Sequence, residues 1–339
     1  MESIEIKEGQ KIAKIITSLG CNCYCVGGRT APQLTKYDFN LKNIMHLQKV
    51  ARLIPNLTAL LHGTKVYMTE SSEAHFSLFV QNKIRTFIEL KRLGLSMKQA
   101  PKMSALIGVD TNGEIQTVEL ENMPHMIIGG QTGGGKSVLL NTVILSLCCY
   151  NKPTDLGLVL IDPKRVEFNK FKGLPHLIMP ILNEIDSIEL ALIRLVAEME
   201  SRYNTLSDLG LAKNSGHFKH ICVIIDELSD LVLSENDRIK PLLIRLLQKA
   251  RACGITVICA TQSVRAKVLD GNMLANAPTR VALACANVRE SILILGHKGA
   301  ENLQGKGDAI LKTAEGKEYR LQVPYITDSD ILTLMGGKK

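Results

Sequence analysis

Residues Gly130-Gln131-Thr132-Gly133-Gly134-Gly135-Lys136-Ser137 have the types and spacing of a phosphate-gripping turn, G-x-x-x-x-G-K-[ST]. Each part has a physical task. Glycines let the backbone wrap closely around phosphate oxygens with its N–H groups pointing inward. Lys136 brings a point charge to the β- and γ-phosphates. Ser137 offers a hydroxyl to Mg²⁺, a cation that prefers oxygen ligands. Val138 continues into a helix whose N-terminus favours negative charge. The implied cofactors are ATP and Mg²⁺. Further along, the apolar run Ile221–Ile225 leads directly into Asp226-Glu227. Acids at the tip of a buried strand complete such a site: Asp226 to hold Mg²⁺, directly or through water, and Glu227 to orient or deprotonate the attacking water. The plainer alternative is a pair of helix-capping acids. Ala260-Thr261-Gln262 ends another apolar run, where Gln262 is expected to sense the γ-phosphate or position water, or else to serve as a loop hydrogen-bonder.

These residues need a frame. Short apolar runs at Met126–Ile128, Leu156–Ile161, Ile221–Ile225, Ile255–Ala260 and Val281–Cys285 read as buried strands. Longer amphipathic stretches at Lys136–Tyr150, Ser187–Leu206, Arg238–Ala252 and Arg289–Leu295 read as helices between them. Continuous apolar strands alternating with helices predict a parallel sheet covered on both faces. Asp110-Thr111-Asn112-Gly113 between Ala105–Val109 and Ile115–Leu120 reads as a hairpin turn.

The first hundred residues read as a small α+β unit. Ile12–Leu19 is a short helical pattern, Cys21–Val26 and Leu34–Leu41 alternate as strands do, and Ile44–Ile54 and Val80–Leu95 have spacings nearer the helical period. The basic stretch Leu95–Lys102, with Pro101, reads as a linker or hinge. The expected division is 1–104 for this unit and 105–339 for the nucleotide domain.

Composition bounds the rest. The 339 residues are 45% hydrophobic and 22% charged, enough to bury a sizeable core. A net charge of +8 suits a polyanionic partner and equally suits plain solubility. The nine cysteines, an odd number scattered mainly through apolar runs, do not read as a disulfide framework and point to a reducing cytosol. Cys21, Cys23 and Cys25 would share one strand face; core packing accounts for them, and a zinc site there would need further ligands. Met1–Lys11 is polar and charged, unlike a secretory leader. The run Val138–Tyr150 is too short to span a bilayer, which takes about 20 residues. The expectation is a soluble, cytoplasmic chain that meets membranes only through a partner.

Several segments together resemble the FtsK/SpoIIIE family. Met123-Pro124-His125-Met126-Ile127-Ile128-Gly129-Gly130 leads into the phosphate turn, and Ile161-Asp162-Pro163-Lys164 and Gly173-Leu174-Pro175-His176 follow. Glu198-Met199-Glu200 with Arg202-Tyr203, then Gln248-Lys249-Ala250-Arg251-Ala252 with Gly254-Ile255, precede Ala260-Thr261-Gln262. Asn276-Ala277-Pro278-Thr279-Arg280, Gly299-Ala300-Glu301, Gly305 and Gly307-Asp308 close the series. The resemblance implies an α/β fold: a RecA-like P-loop NTPase with a central, mostly parallel sheet, beside the small N-terminal α+β subdomain. It covers the family's α and β motor subdomains and neither its membrane region nor its winged-helix γ domain.

It also implies an ATPase that moves double-stranded DNA through a homo-hexameric ring, with ATP bound between subunits. Arg251 matches the family position that reaches into the neighbour's site. Family members follow Ala-Thr-Gln with Arg-Pro; here Ser263-Val264 intervene before Arg265 and Lys267, which would contact DNA phosphates or stand as a solvated loop. A motor serving a plasmid, phage or integrated element fits this extent. Related readings are a conjugative coupling, replication or DNA-packaging ATPase, and, from another class, an AAA-like protein remodeller.

Overall fold

The structure, a computed structural model, describes residues 4–70, 74–83, 86–93, 101–122, 125–234 and 236–334. Residues 95–100 of the expected linker, and Met123 and Pro124 of the family segment, lie outside them. Cα proximity groups Met1–Ile88 with Val109–Glu114 in one unit, and Glu89–Gly108 with Ile115–Lys339 in a second.

The first unit is a four-stranded antiparallel sheet with two helices. Its elements are α1 (Ile4–Ser18), β1 (Cys23–Thr30), β2 (Leu34–Leu41), α2 (Leu47–Leu60), β3 (Val66–Glu70) and β4 (His75–Gln81), with strand order β1-β2-β4-β3. Alternation in β2 sends Tyr37, Phe39 and Leu41 into the core, where Phe39 stacks on Phe76 of β4 with ring centroids 5.1 Å apart. Cys21, Cys23 and Cys25 pack in the same apolar cluster with Ile16 and Val50. Burial pushes the Cys23 thiol up to about 12, so it stays protonated and behaves as a small hydrophobe.

The helical expectation for Val80–Leu95 is overturned. Val80 is the penultimate residue of β4, whose inward residues Phe76 and Leu78 recur with period two, and only a single 3₁₀ turn, Leu90–Leu93, follows among the described residues. Spacing read across a strand end and a turn imitated the helical period.

The second unit is built on a nine-stranded sheet. Its elements are β5 (Ser104–Asp110), β6 (Ile115–Glu119), β7 (His125–Gly129), α3 (Lys136–Tyr150), β8 (Leu156–Ile161), α4 (Ile185–Asp208), β9 (His220–Ile225), α5 (Leu228–Val232), α6 (Ile239–Lys249), β10 (Ile255–Thr261), α7 (Gly271–Asn276), β11 (Thr279–Ala282), α8 (Val288–Leu295), β12 (Asp308–Lys312), β13 (Glu318–Gln322) and α9 (Asp328–Leu334). Strand order is β6-β5-β13-β12-β11-β7-β10-β9-β8. The five strands β11-β7-β10-β9-β8 are mutually parallel, and β12 joins β11 antiparallel.

Both faces of the parallel block are buried, and the pleat decides which residue serves which face. Ile128, Leu158, Ile224 and Ile258 meet α3 residues such as Leu140 and Ile144 in one core. Ile127, Val159, Val223 and Val257 meet Leu192 and Met199 of α4 and Leu243 of α6 in the other. This is why these strands read as unbroken apolar runs. Helix α3 is buried nearly along its length, and its Ser146 hydroxyl is doubly engaged: it accepts the Leu106 N–H at 2.9 Å and donates to the Val143 carbonyl at 3.0 Å. Among the described residues no helix is long and apolar enough to cross a membrane.

Candidate functional site

Strand β7 ends at Gly129 and the chain turns through Gly130–Gly135 before α3 begins at Lys136. Gly135 caps that helix at φ 111°, and a Cβ built on it would lie 2.6 Å from the Gly307 nitrogen. Only glycine satisfies both the torsion and that approach. The approach is itself bonded: the Gly307 N–H donates to the Gly134 carbonyl at 2.8 Å and the Lys306 N–H to the Gly133 carbonyl at 3.2 Å. At Gly133, by contrast, a Cβ would meet nothing within 4 Å, so the outer face of the turn is open.

The neighbouring strand tips converge on this turn. Parallel register sets Gly129 beside Thr261, Cys259 beside Ile225 and Ile225 beside Ile161, so Gly130, Gln262, Asp226 and Asp162 all emerge at the carboxyl edge. The Lys136 ammonium donates to the Asp226 backbone carbonyl at 2.7 Å, to Asp226 Oδ1 at 2.9 Å and to Glu227 Oε2 at 3.5 Å. All three side chains are buried. Thr132 Oγ1 donates to Gln262 Oε1 at 2.6 Å, tying the turn to the tip of β10.

Glu227 precedes α5 but makes no side-chain capping bond, so the capping alternative does not account for it. Its carboxylate instead accepts from Thr261 Oγ1 at 2.7 Å, Ser229 Oγ at 2.9 Å and the Gln262 N–H at 3.0 Å. Burial raises its pKa, but the Thr261 bond, the Lys136 charge and the Gln262 and Ser229 bonds outweigh that and hold it below the ordinary value. Asp226 is shifted the other way. Burial raises it against the pull of Lys136, and the nearby Glu167 and Asp162 add to the rise. The two consecutive acids thus stand in unlike environments, the pattern expected of groups given different tasks.

Sequence reasoning did not single out Lys164 and Glu167 as site residues, though it quoted Asp162 and Lys164 within a motif. Lys164 Nζ lies 3.7 Å from Glu227 Oε2 and 3.5 Å from Asp230 Oδ2. Glu167 Oε1 accepts from the Ser137 hydroxyl at 2.5 Å. The signal was available: these residues follow the carboxyl end of β8, the edge that drew attention to Asp226 and Gln262.

The remaining predicted residues lie elsewhere. Arg251 sits in the 3₁₀ turn Ala250–Cys253 before the amino end of β10, and donates to the Asn122 carbonyl at 3.2 Å. With β10 between them, it stands about 20 Å from Gln262 at about 3.3 Å per residue. Arg265 and Lys267 are exposed after the carboxyl end of β10, in a segment pinned by buried Val264, Val268 and Leu269.

The residues at the carboxyl edge fit a magnesium nucleotide. The open glycine turn, the buried lysine and the oxygen donors of Ser137 and Asp226 match a triphosphate with a hard cation. Among the described residues no three His, Cys, Asp or Glu side chains form a ready-made metal cage. Mg²⁺ bound chiefly through phosphates, water and one or two carboxylates needs none.

Residues 94–219 match the model of the FtsK/SpoIIIE family. The chain is 31% identical to the DNA translocase FtsK of Leptospira interrogans over 96% of its own length and 36% of that protein. It is 40% identical to the DNA translocase FtsK of Chlamydia trachomatis over 73% of its length and 33% of the relative. The chain therefore spans roughly a third of these two relatives. In fold it resembles the pCW3 conjugation coupling protein TcpA, solved with ATPγS, with TM-score 0.66 and 20% identity over 98% of this chain and 99% of that one. It also resembles the cytoplasmic domain of the Type VII secretion ATPase EccC of Thermomonospora curvata, with TM-score 0.65 and 23% identity over 74% of this chain and 34% of that one. The fold is that of the RecA-like P-loop ATPases.

Proposed function

We propose, from the premise that residues 94–219 are of the FtsK/SpoIIIE family, that this chain is an ATP-driven translocase of double-stranded DNA acting as a homo-hexameric ring. The observation that carries the reading is the convergence of Lys136, Ser137, Asp226, Glu227 and Gln262 at one sheet edge while Arg251 stands at the other. A site complete but for an arginine, on a subunit whose arginine lies out of its own reach, suits a ring in which each neighbour supplies the missing charge.

Each residue then has a task. The Gly130–Val138 turn holds the phosphates through its backbone N–H groups other than those of Gly130, Gln131 and Gly134, which donate to the carbonyls of Thr261, Ala284 and Gln131, and Lys136 exchanges its bonds to Asp226 and Glu227 for bonds to phosphate oxygens. Bound Mg²⁺ would be held by Ser137 and Asp226 and would neutralise phosphate charge. Glu227, freed from Lys136 but still oriented by Thr261, Ser229 and the Gln262 N–H, takes a proton from the attacking water. Gln262 reports the state of the phosphates through Thr132. Arg251 of one subunit stabilises charge developing in the next subunit's site. Loosening of that contact after hydrolysis swings the Ser263–Met273 segment, whose Arg265 and Lys267 grip DNA phosphates with little sequence preference. The ring works in the cytoplasm.

The test is ATP turnover with and without long duplex DNA, coupled to displacement of a triplex-forming strand. Duplex-stimulated turnover with displacement is expected. Stimulated turnover without displacement removes the translocase and leaves a clamp; stimulation by a protein substrate alone favours a remodeller. A motor for conjugative, replicating or packaged DNA would share this site and differ in its partners. The end-to-end likeness in fold to a conjugation coupling protein keeps that reading beside the first.

A further inference from the structure

We infer that Glu167 is a positioning residue for the Ser137 hydroxyl, holding its proton so that its lone pairs are left for the magnesium of a bound nucleotide. The inference rests on the nucleotide-binding reading above and adds a residue to it.

A serine hydroxyl has one proton to give and two lone pairs, and only the lone pairs can ligate a cation. Which way it turns depends on what accepts the proton. The acid expected to stand beside the metal, Asp226, has Oδ1 engaged by Lys136 at 2.9 Å. The Ser137 proton goes instead to Glu167 Oε1. A carboxylate accepts and never donates when ionised, so Glu167 fixes the hydroxyl in one sense.

The chain holds Glu167 in place by a local device. Asp162 Oδ2 accepts the N–H groups of both Glu167 and Phe168, at 2.9 and 3.0 Å. Arg165 between them adopts φ 59°, which bends the segment back over the end of β8. Phe168 and Phe171, both fully buried, anchor the far side, and Phe168 belongs to the same apolar core as α3. The other Asp162 oxygen, Oδ1, is buried and has no partner among the described residues. A buried acceptor left open beside a hard-cation site is suited to a metal-bound water. Outer carboxylates of this kind, which orient a ligand rather than bind the ion, typically change metal affinity about 10–100-fold when removed.

The experiment uses Mn²⁺ as the probe, its free EPR signal lost on binding, titrated into protein saturated with ATPγS. ATPγS binding in EDTA is measured in parallel. For Glu167→Ala, Mn²⁺ affinity should fall about 10–100-fold while metal-free ATPγS binding is unchanged. Glu167→Gln, whose amide oxygen still accepts the hydrogen bond from the Ser137 hydroxyl, should recover most of the loss. Unchanged Mn²⁺ affinity in Glu167→Ala overturns the inference. An equal loss of metal-free binding overturns it too, because that reports a distorted phosphate turn. Wild-type protein that binds no ATPγS under either condition would overturn the nucleotide reading itself, an outcome visible without any variant.

Discussion

At their carboxyl ends four of the five parallel strands deliver Gly130, Asp162, Asp226, Glu227 and Gln262 to one edge, where Lys136 bonds Asp226 and Glu227, Glu227 accepts from Gln262, and Asp162 accepts from Glu167. At their amino ends two of the same strands begin with His125 and His220, both buried and both held neutral. Burial, with a smaller push from the Arg251 charge, lowers His125 to about 3, and burial with the Arg202 charge lowers His220 to about 4. Neutral imidazoles there act as hydrogen-bonding spacers: His125 Nδ1 accepts the Val257 N–H at 3.0 Å and His220 Nε2 pairs with Thr256 Oγ1 at 2.9 Å. Arg202 closes that edge, bonding the Lys219 and Cys253 carbonyls at 3.0 and 2.9 Å and lying over the Phe218 ring. One edge gathers ionised groups whose partners can be exchanged for a ligand; the other uses its polar groups to lock loops. A single sheet can thus keep reactivity and rigidity apart by strand direction alone.

Substitutions at the two edges should therefore separate cleanly. Lys136→Ala has the largest expected effect: nucleotide binding, followed with a fluorescent ATP analogue, should be lost. Arg251→Ala crosses the divide, since it lies at the locked edge yet is assigned to catalysis. Turnover should fall about 10³-fold or more with nucleotide affinity unchanged. Mixing Arg251→Ala with Lys136→Ala subunits should restore part of the activity, because some interfaces then pair an intact arginine with an intact site. No recovery would return Arg251 to the structural side. Glu227→Gln should bind nucleotide and turn over about 10²–10⁴-fold more slowly; robust hydrolysis would remove Glu227 from the catalytic role.

At the other edge the readout is stability. Arg202→Ala should cost about 2–4 kcal/mol in denaturant unfolding, since a buried and a half-buried carbonyl lose a charged donor. The response to acid is graded rather than all-or-none. His125 and His220 titrate near 6.5 when unfolded and at about 3 and about 4 when folded, so the unfolded chain takes up their protons first. Their contribution is full above pH 6.5 and lost as pH falls toward the folded values, by about 1 kcal/mol per histidine for each pH unit. A melting temperature flat from pH 7 to 5 would contradict the locked edge.

How far the sequence discloses these edges depends on what each signal rests on. Leu156–Ile161 and Lys136–Tyr150 are found at their expected bounds because a doubly buried strand and a glycine-to-lysine helix start are local signals. Ser187–Leu206 lengthens by two residues at each end, since helix ends carry less information than helix faces. Strands β3, β4, β12 and β13 were not read, because half-exposed strands owe their pairing to distant partners more than to their own pattern. The phosphate turn and the Asp226-Glu227 tip were legible as contiguous motifs. Glu167 was not, because its place depends on a turn organised by Asp162 and on a serine thirty residues away in sequence. The assignment of Arg251 came from resemblance and could not have come from spacing, since the residue touches nothing at the carboxyl edge of its own subunit among the described contacts.

The bonds from Lys306 and Gly307 to the carbonyls of Gly133 and Gly134 join parts of the chain separated by about 170 residues. A ribosome releases the glycine turn long before it releases the residues that brace it. Until that late segment emerges and settles, the turn lacks two of the bonds that hold its shape. The growing polypeptide would therefore gain a fully braced glycine turn only after residues 306 and 307 have emerged, when the five parallel strands around it are already made.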